Sequence, residues 1–147
     1  MMRKFQFEAE VYESLSCLPM VARRKLDELG IKIGFQDWGR LSRGERLMIC
    51  HAPIASEDER GALRYFIDEV MTRYGCQAKE LPESKRQGLK PPIAVPQQLV
   101  ESAQSSGIPL TQSAWAGLDD DQRYVLIKLG VEKQSHKLKA ALAEFTK

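Results

Sequence analysis

Histidine is scarce in this 147-residue chain, with two residues, His51 and His136, far apart. Cysteine is little commoner: Cys17, Cys50 and Cys76 are odd in number and widely spaced. That pattern argues against a disulfide framework and suits reduced thiols in a cytoplasm. Cys50-His51 is the one adjacent pair of good metal ligands, and no second Cys or His follows within two to five residues, so no zinc site is expected. A Gly-rich phosphate loop, a His-Glu-x-x-His and a nucleophile elbow are all missing, so no catalytic residues are assigned. No apolar run approaches the roughly 20 residues that a membrane span requires. The start, Met-Met-Arg-Lys-Phe-Gln-Phe-Glu, has no apolar stretch after its basic residues, so no signal peptide is expected. A formal net charge of +2 is too small to argue for a nucleic-acid surface by itself.

What is present is a pattern that occurs twice. Gly30-Ile31, Trp38, Leu41 and Arg46 return as Gly107-Ile108, Trp115, Leu118 and Arg123, every pair 77 residues apart (30 and 107, 38 and 115, 46 and 123). Pro19 and Pro96 extend the match backwards. The identical positions are few, but they include both tryptophans of the chain. One structural unit used twice, over 19–51 and 96–128, is the simplest reading.

Each unit begins at a proline, which suits the first turn of a helix because its missing N–H would be unpaired there. Ala22, Leu26 and Leu29 make an apolar stripe, and Gly30 supplies the left-handed stop. Leu99, Ala103 and Gly107 repeat this. A short extended piece and a short helical turn bearing the tryptophan follow in each. Ser42 to Glu45 has capping-box spacing, and Asp119 to Gln122 takes the matching place. Helices are expected over about 43–51 and 120–129, the second stopped at Gly130. Between the units Ser56 and Glu59 cap a central helix over about 57–74, with Leu63, Phe66, Ile67, Val70, Met71 and Tyr74 along one face. A Pro-rich connector follows over about 79–96, carrying Lys85, Arg86 and Lys90 and expected to run over the surface. A last amphipathic helix covers 137–145. The N-terminal segment alternates over 5–11 and is expected to start extended and turn helical near Glu8. The predicted fold is mainly α: a single compact domain over 1–147 of about six helices, built on two pseudo-repeated helix-loop-helix units, with at most short extended segments.

Candidate functional residues are few. Glu8, Glu10 and Glu13 read as a solvated face. Arg46 and Arg123 recur beside a recurring tryptophan, which suggests stacking or carboxylate pairing and leaves partner binding as a second use. The first unit also carries Cys17, Arg23, Lys25 and Asp27, where the second offers nothing comparable to the charges: Val100, Ser102 and Gln104 stand opposite the last three. A partner-binding surface is therefore expected around Cys17, Pro19, Arg23, Lys25, Asp27 and Trp38.

Phe5-Gln-Phe-Glu8, Leu15, Cys17-Leu-Pro-Met20, Arg23, Lys25-Leu-Asp27, Gly30-Ile-Lys-Ile33 and Trp38, in this order and spacing, closely resemble the nitrate reductase associated protein family. Trp115, Leu118 and Gln122 through Leu129 look like that family's second block, and Ala140 to Phe145 like its C-terminal end. The resemblance implies a non-catalytic accessory or maturation factor for assimilatory nitrate reductase, a molybdenum-cofactor enzyme. Its partner would be that reductase or its maturation machinery, met by protein–protein contact, with no membrane and no cofactor of its own. Two other classes remain as alternatives: a nucleic-acid-binding regulatory module made of two helix-turn-helix-sized units, and a small-ligand sensor with a pocket between the units.

Overall fold

In a computed structural model of the chain, residues 2–82 and 91–146 are described. The basic part of the connector, with Lys85, Arg86 and Lys90, lies outside them. The chain divides into two compact units, Met1–Arg86 and Gln87–Lys147.

The first unit opens with a 3-10 turn at Gln6–Glu8 and helix α1, Ala9–Ser14. Helix α2 spans Met20–Leu29, and Pro19, extended at φ −62°, occupies the position before it. Gly30 ends it at φ 71°, a left-handed conformation that costs glycine little. Strand β1, Ile31–Lys32, pairs antiparallel with β2, Lys79–Glu80, in the register Ile31 to Glu80 and Lys32 to Lys79. Helices α3, Phe35–Arg40, and α4, Arg43–His51, follow, and α4 starts from the capping box formed by Ser42 and Glu45. Ser56 and Glu59 form another at the head of α5, Glu57–Arg73. Leu15, Ala22, Leu26, Trp38, Ile49, Cys50, Leu63, Ile67, Val70 and Met71 meet in one apolar core.

The second unit contains α6, Gln97–Ser106, α7, Gln112–Ala116, α8, Asp120–Val131, and α9, Ser135–Phe145. Its buried apolar side chains include Leu99, Ala103, Trp115, Tyr124, Leu126, Leu129, Leu138 and Leu142. Gly107 stops α6 at φ 90°, and Asp119 with Gln122 makes the capping box of α8.

The described residues are mainly helical, with a two-stranded sheet, as expected. They hold nine α-helices where about six were expected. The additional ones, α1, α3 and α7, are five or six residues long. They fall where a helical turn was expected, after Glu8 and at each tryptophan, and tertiary packing stabilises such short helices more than propensity does. A second difference concerns Gly130. It does not stop α8, which continues to Val131. A Cβ there would lie 3.4 Å from Leu99 Cδ1, an ordinary packing distance, so the position faces α6. Tyr74, expected in the core face of α5, is partly exposed and donates its hydroxyl to Glu45 Oε1 at 2.7 Å.

Candidate functional site

Three features of the described residues concern function. The first is a set of buried polar groups in the first unit. Pro19 offers no side-chain acceptor to the start of α2, and Glu8 takes that role from twelve residues upstream. Its carboxylate accepts from the Met20 backbone N–H at 3.2 and 3.3 Å, and from the Tyr12 hydroxyl at 2.5 Å. A carboxylate at a helix N-terminus also faces the positive end of the helix dipole. Glu8 is buried, which corrects the expectation of a solvated face for it. Lys25 does the complementary work at the C-terminal end of another helix, α4. Its ammonium donates to the carbonyls of Cys50 and, at 3.4 Å, of Ile49, the unpaired carbonyls at that helix's end. Cys50 lies between these charges. Burial pushes its thiol up to about 11; the Lys25 ammonium opposes that rise and the Glu8 carboxylate adds to it.

The second feature is the tryptophan and arginine pair in each unit. Trp38 Nε1 donates to the Leu15 carbonyl at 2.8 Å, and Trp115 Nε1 to the Pro92 carbonyl at 3.0 Å. Arg46 donates from Nε to the Trp38 carbonyl at 3.1 Å and from Nη2 to the Gly39 carbonyl at 2.9 Å. Arg123 donates from Nε to the Trp115 carbonyl and from Nη2 to the Ala116 carbonyl, both at 3.1 Å. Stacking and carboxylate pairing, the two roles expected from sequence, occur at Arg123 alone. Its guanidinium sits 5.6 Å from the Trp115 ring centre and 3.8 Å from Asp120. The main role, capping the carbonyls at the ends of α3 and α7, was not anticipated.

The third feature is the surface. Of the residues expected to face a partner, Pro19, Lys25, Asp27 and Trp38 are buried, Arg23, Arg46 and Arg123 are half-buried, and Cys17 is exposed. Trp38 and Lys25 hydrogen-bond inside the unit, and burial takes their side chains out of reach. Of the six first-unit residues, Cys17 and Arg23 keep an accessible position. A narrow hollow of about 220 Å³ opens instead between α4 and α5, walled by Met48, Ala52, Pro53, Ala62, Leu63 and Phe66, with Glu59 at its edge. Sequence reasoning missed it, although the apolar run Leu47 to Cys50 is too long for one helix face and was a legible signal. Two larger, more polar hollows also open to solvent. One, of about 520 Å³, holds Arg64, Asp68, Cys76 and Glu80. The other, of about 640 Å³, holds Glu101, Ser102, Ser105 and Lys133.

Among the described residues, no group of three His, Cys, Asp or Glu side chains converges on a metal position, and no helix is long and apolar enough to cross a membrane. The described residues define a small, mainly helical protein in which the buried Glu8 and Lys25 hold helix ends and an apolar groove opens between α4 and α5. The chain belongs to the family of conserved nitrate reductase-associated proteins, whose family model matches residues 4–145, nearly the whole chain. No curated protein and no solved structure matches it.

Proposed function

We propose that this chain is a non-catalytic accessory or maturation factor for assimilatory nitrate reductase, acting in the cytoplasm by protein–protein contact. The observation that carries the reading is the family match over residues 4–145, a family described by its association with the reductase and not as the reductase. The fate of the buried and half-buried polar groups supports it. Glu8, Lys25, Arg46 and Arg123 are engaged with backbone groups at helix ends, which is work of folding and not of turnover. The partner is the reductase itself or the machinery that matures it. Contact falls on the first unit, where Cys17 and Arg23 border the start of α2 and the α4–α5 groove lies open. The recurrence of the Trp and Arg geometry 77 residues on supports a duplicated helix-loop-helix unit as the framework that presents this surface.

Deleting the gene and measuring nitrate reductase activity and growth on nitrate tests the proposal. Reductase activity is expected to fall while the amount of reductase transcript holds. Wild-type activity and growth in the deletion strain would overturn it.

A further inference from the structure

The groove between α4 and α5 has the chemistry of a docking site. Its walls are aliphatic, aromatic and thioether side chains, with a single carboxylate, Glu59, at the edge. Met48 is 56% exposed there. At the matching place of the second unit stands Val125, buried at 1% exposure, and Leu129, matching Ala52, is buried as well. The same helix face is thus covered within the second unit and open in the first. A volume of about 220 Å³ falls below the roughly 300–1,000 Å³ of small-molecule pockets. It suits one or two apolar side chains of a partner.

The charges around the groove select the partner. Along α5 the exposed residues Asp58, Ala62, Tyr65 and Glu69 follow the helical spacing beside the groove stripe of Glu59, Leu63 and Phe66. Tyr65 is 71% exposed. Neither Asp58 nor Glu69 takes part in an ion pair among the described residues. Of the basic groups of α5, Arg60 donates to the Ile54 carbonyl at 3.0 Å, Arg64 lies 2.7 Å from Glu80 and Arg73 3.4 Å from Glu45. An apolar slot between two helices, edged by carboxylates and an exposed tyrosine, fits a helix with apolar anchors and cationic flanks. The unbranched Met48 side chain adapts to whichever anchor enters.

We propose that the α4–α5 groove docks an amphipathic helix of a partner protein, with Leu, Met or Phe anchors at i and i+3 or i+4 and Lys or Arg on its flanks. This rests on the partner-contact reading above and names the element that makes the contact.

The test uses the full chain, isotope-labelled, and a synthetic helical peptide of about 16 residues with leucine anchors and lysine flanks. Its controls are the same peptide with glutamate flanks and one with serine in place of leucine. The lysine peptide is expected to perturb the amide signals of Met48, Ala62 and Phe66. It is expected to bind about tenfold or more tightly than either control at low salt. Ala62→Arg, at an exposed position, is expected to keep the circular dichroism of the parent and to weaken the lysine peptide about tenfold. Equal affinity for the three peptides, or no perturbation along the groove, would overturn the proposal. So would a concentration-dependent dimer that Ala62→Arg abolishes, since a second copy would then be the occupant. In cells, Ala62→Arg is expected to lower nitrate reductase activity as the deletion does. Normal activity in the Ala62→Arg strain beside lost activity in the deletion strain would overturn the groove alone. Peptide binding beside undisturbed activity in the deletion strain would support the groove and remove the accessory role.

Discussion

Arg46 Nε donates to the backbone carbonyl of Trp38 at 3.1 Å, eight residues upstream, and its Nη2 reaches the next carbonyl, that of Gly39. One planar fork thus closes the end of α3 and fixes the start of α4 against it. Arg123 does the same for Trp115 and Ala116 between α7 and α8. A helix of five or six residues has most of its carbonyls unpaired within the helix, so the cation that receives them decides whether it forms.

Arg46→Met is therefore expected to destabilise the protein by about 1–3 kcal/mol, because the half-buried Trp38 and Leu15 carbonyls and the exposed Gly39 carbonyl lose a charged donor. Arg46→Lys is expected to recover less than half of that, since an ammonium on a flexible stem lacks the planar, fixed set of donors that the fork turns toward its carbonyls. Urea unfolding followed by tryptophan fluorescence measures both, and full recovery by lysine would contradict the fork.

Lys25 presents a harsher case. Its ammonium is buried and serves the last carbonyls of α4. Lys25→Met removes the donor and leaves those buried carbonyls without it, a loss of about 2–4 kcal/mol. Chemical denaturation is the measurement, and a neutral outcome would show that water replaces the ammonium.

The cysteines are expected to differ in reactivity. Cys17 is exposed and should react with a thiol reagent in the native protein, whereas Cys50 should react only on unfolding. The Cys50 thiol rises from an ordinary 9.0 to about 11 on folding. Its folded form therefore favours the neutral thiol, and that contribution is intact below pH 9.0 and lost as pH rises toward about 11. Cys50→Ala is expected to weaken this alkaline dependence, as thermal melts across that range would record.

Glu45 gives the opposite sign. The Ser42 backbone N–H holds its carboxyl below the usual 4.5, aided by Tyr74 and Arg73. The stabilisation is present above pH 4.5 and disappears as the pH falls through the lowered value. Glu45→Gln should flatten the acid limb of the stability profile. Tyr74→Phe should flatten it less, because the Ser42 bond remains.

Much of the framework was legible in the chain because its signals are local. Ser42 with Glu45, Ser56 with Glu59, and Asp119 with Gln122 each form the capping box that their spacing predicts. Gly30 and Gly107 end their helices in left-handed conformations for the same reason: the residue's own backbone freedom decides. Where a neighbour distant in sequence decides, the chain gave no sign. Gly130 has the residue type of a helix stop, yet α8 continues through it to Val131, where it faces Leu99 of α6. Glu8 looked solvated until α2 placed an uncapped N-terminus on it, twelve residues away. Lys25 and Trp38 looked like surface chemistry and are interior, because the ends of α4 and α1 required a donor at those points. The sequence by itself determined where helices begin and which residues repeat. Tertiary structure alone decided which charges are buried and which groove stays open, since burial and hydrogen-bond partners depend on distances in space that spacing along the chain does not set.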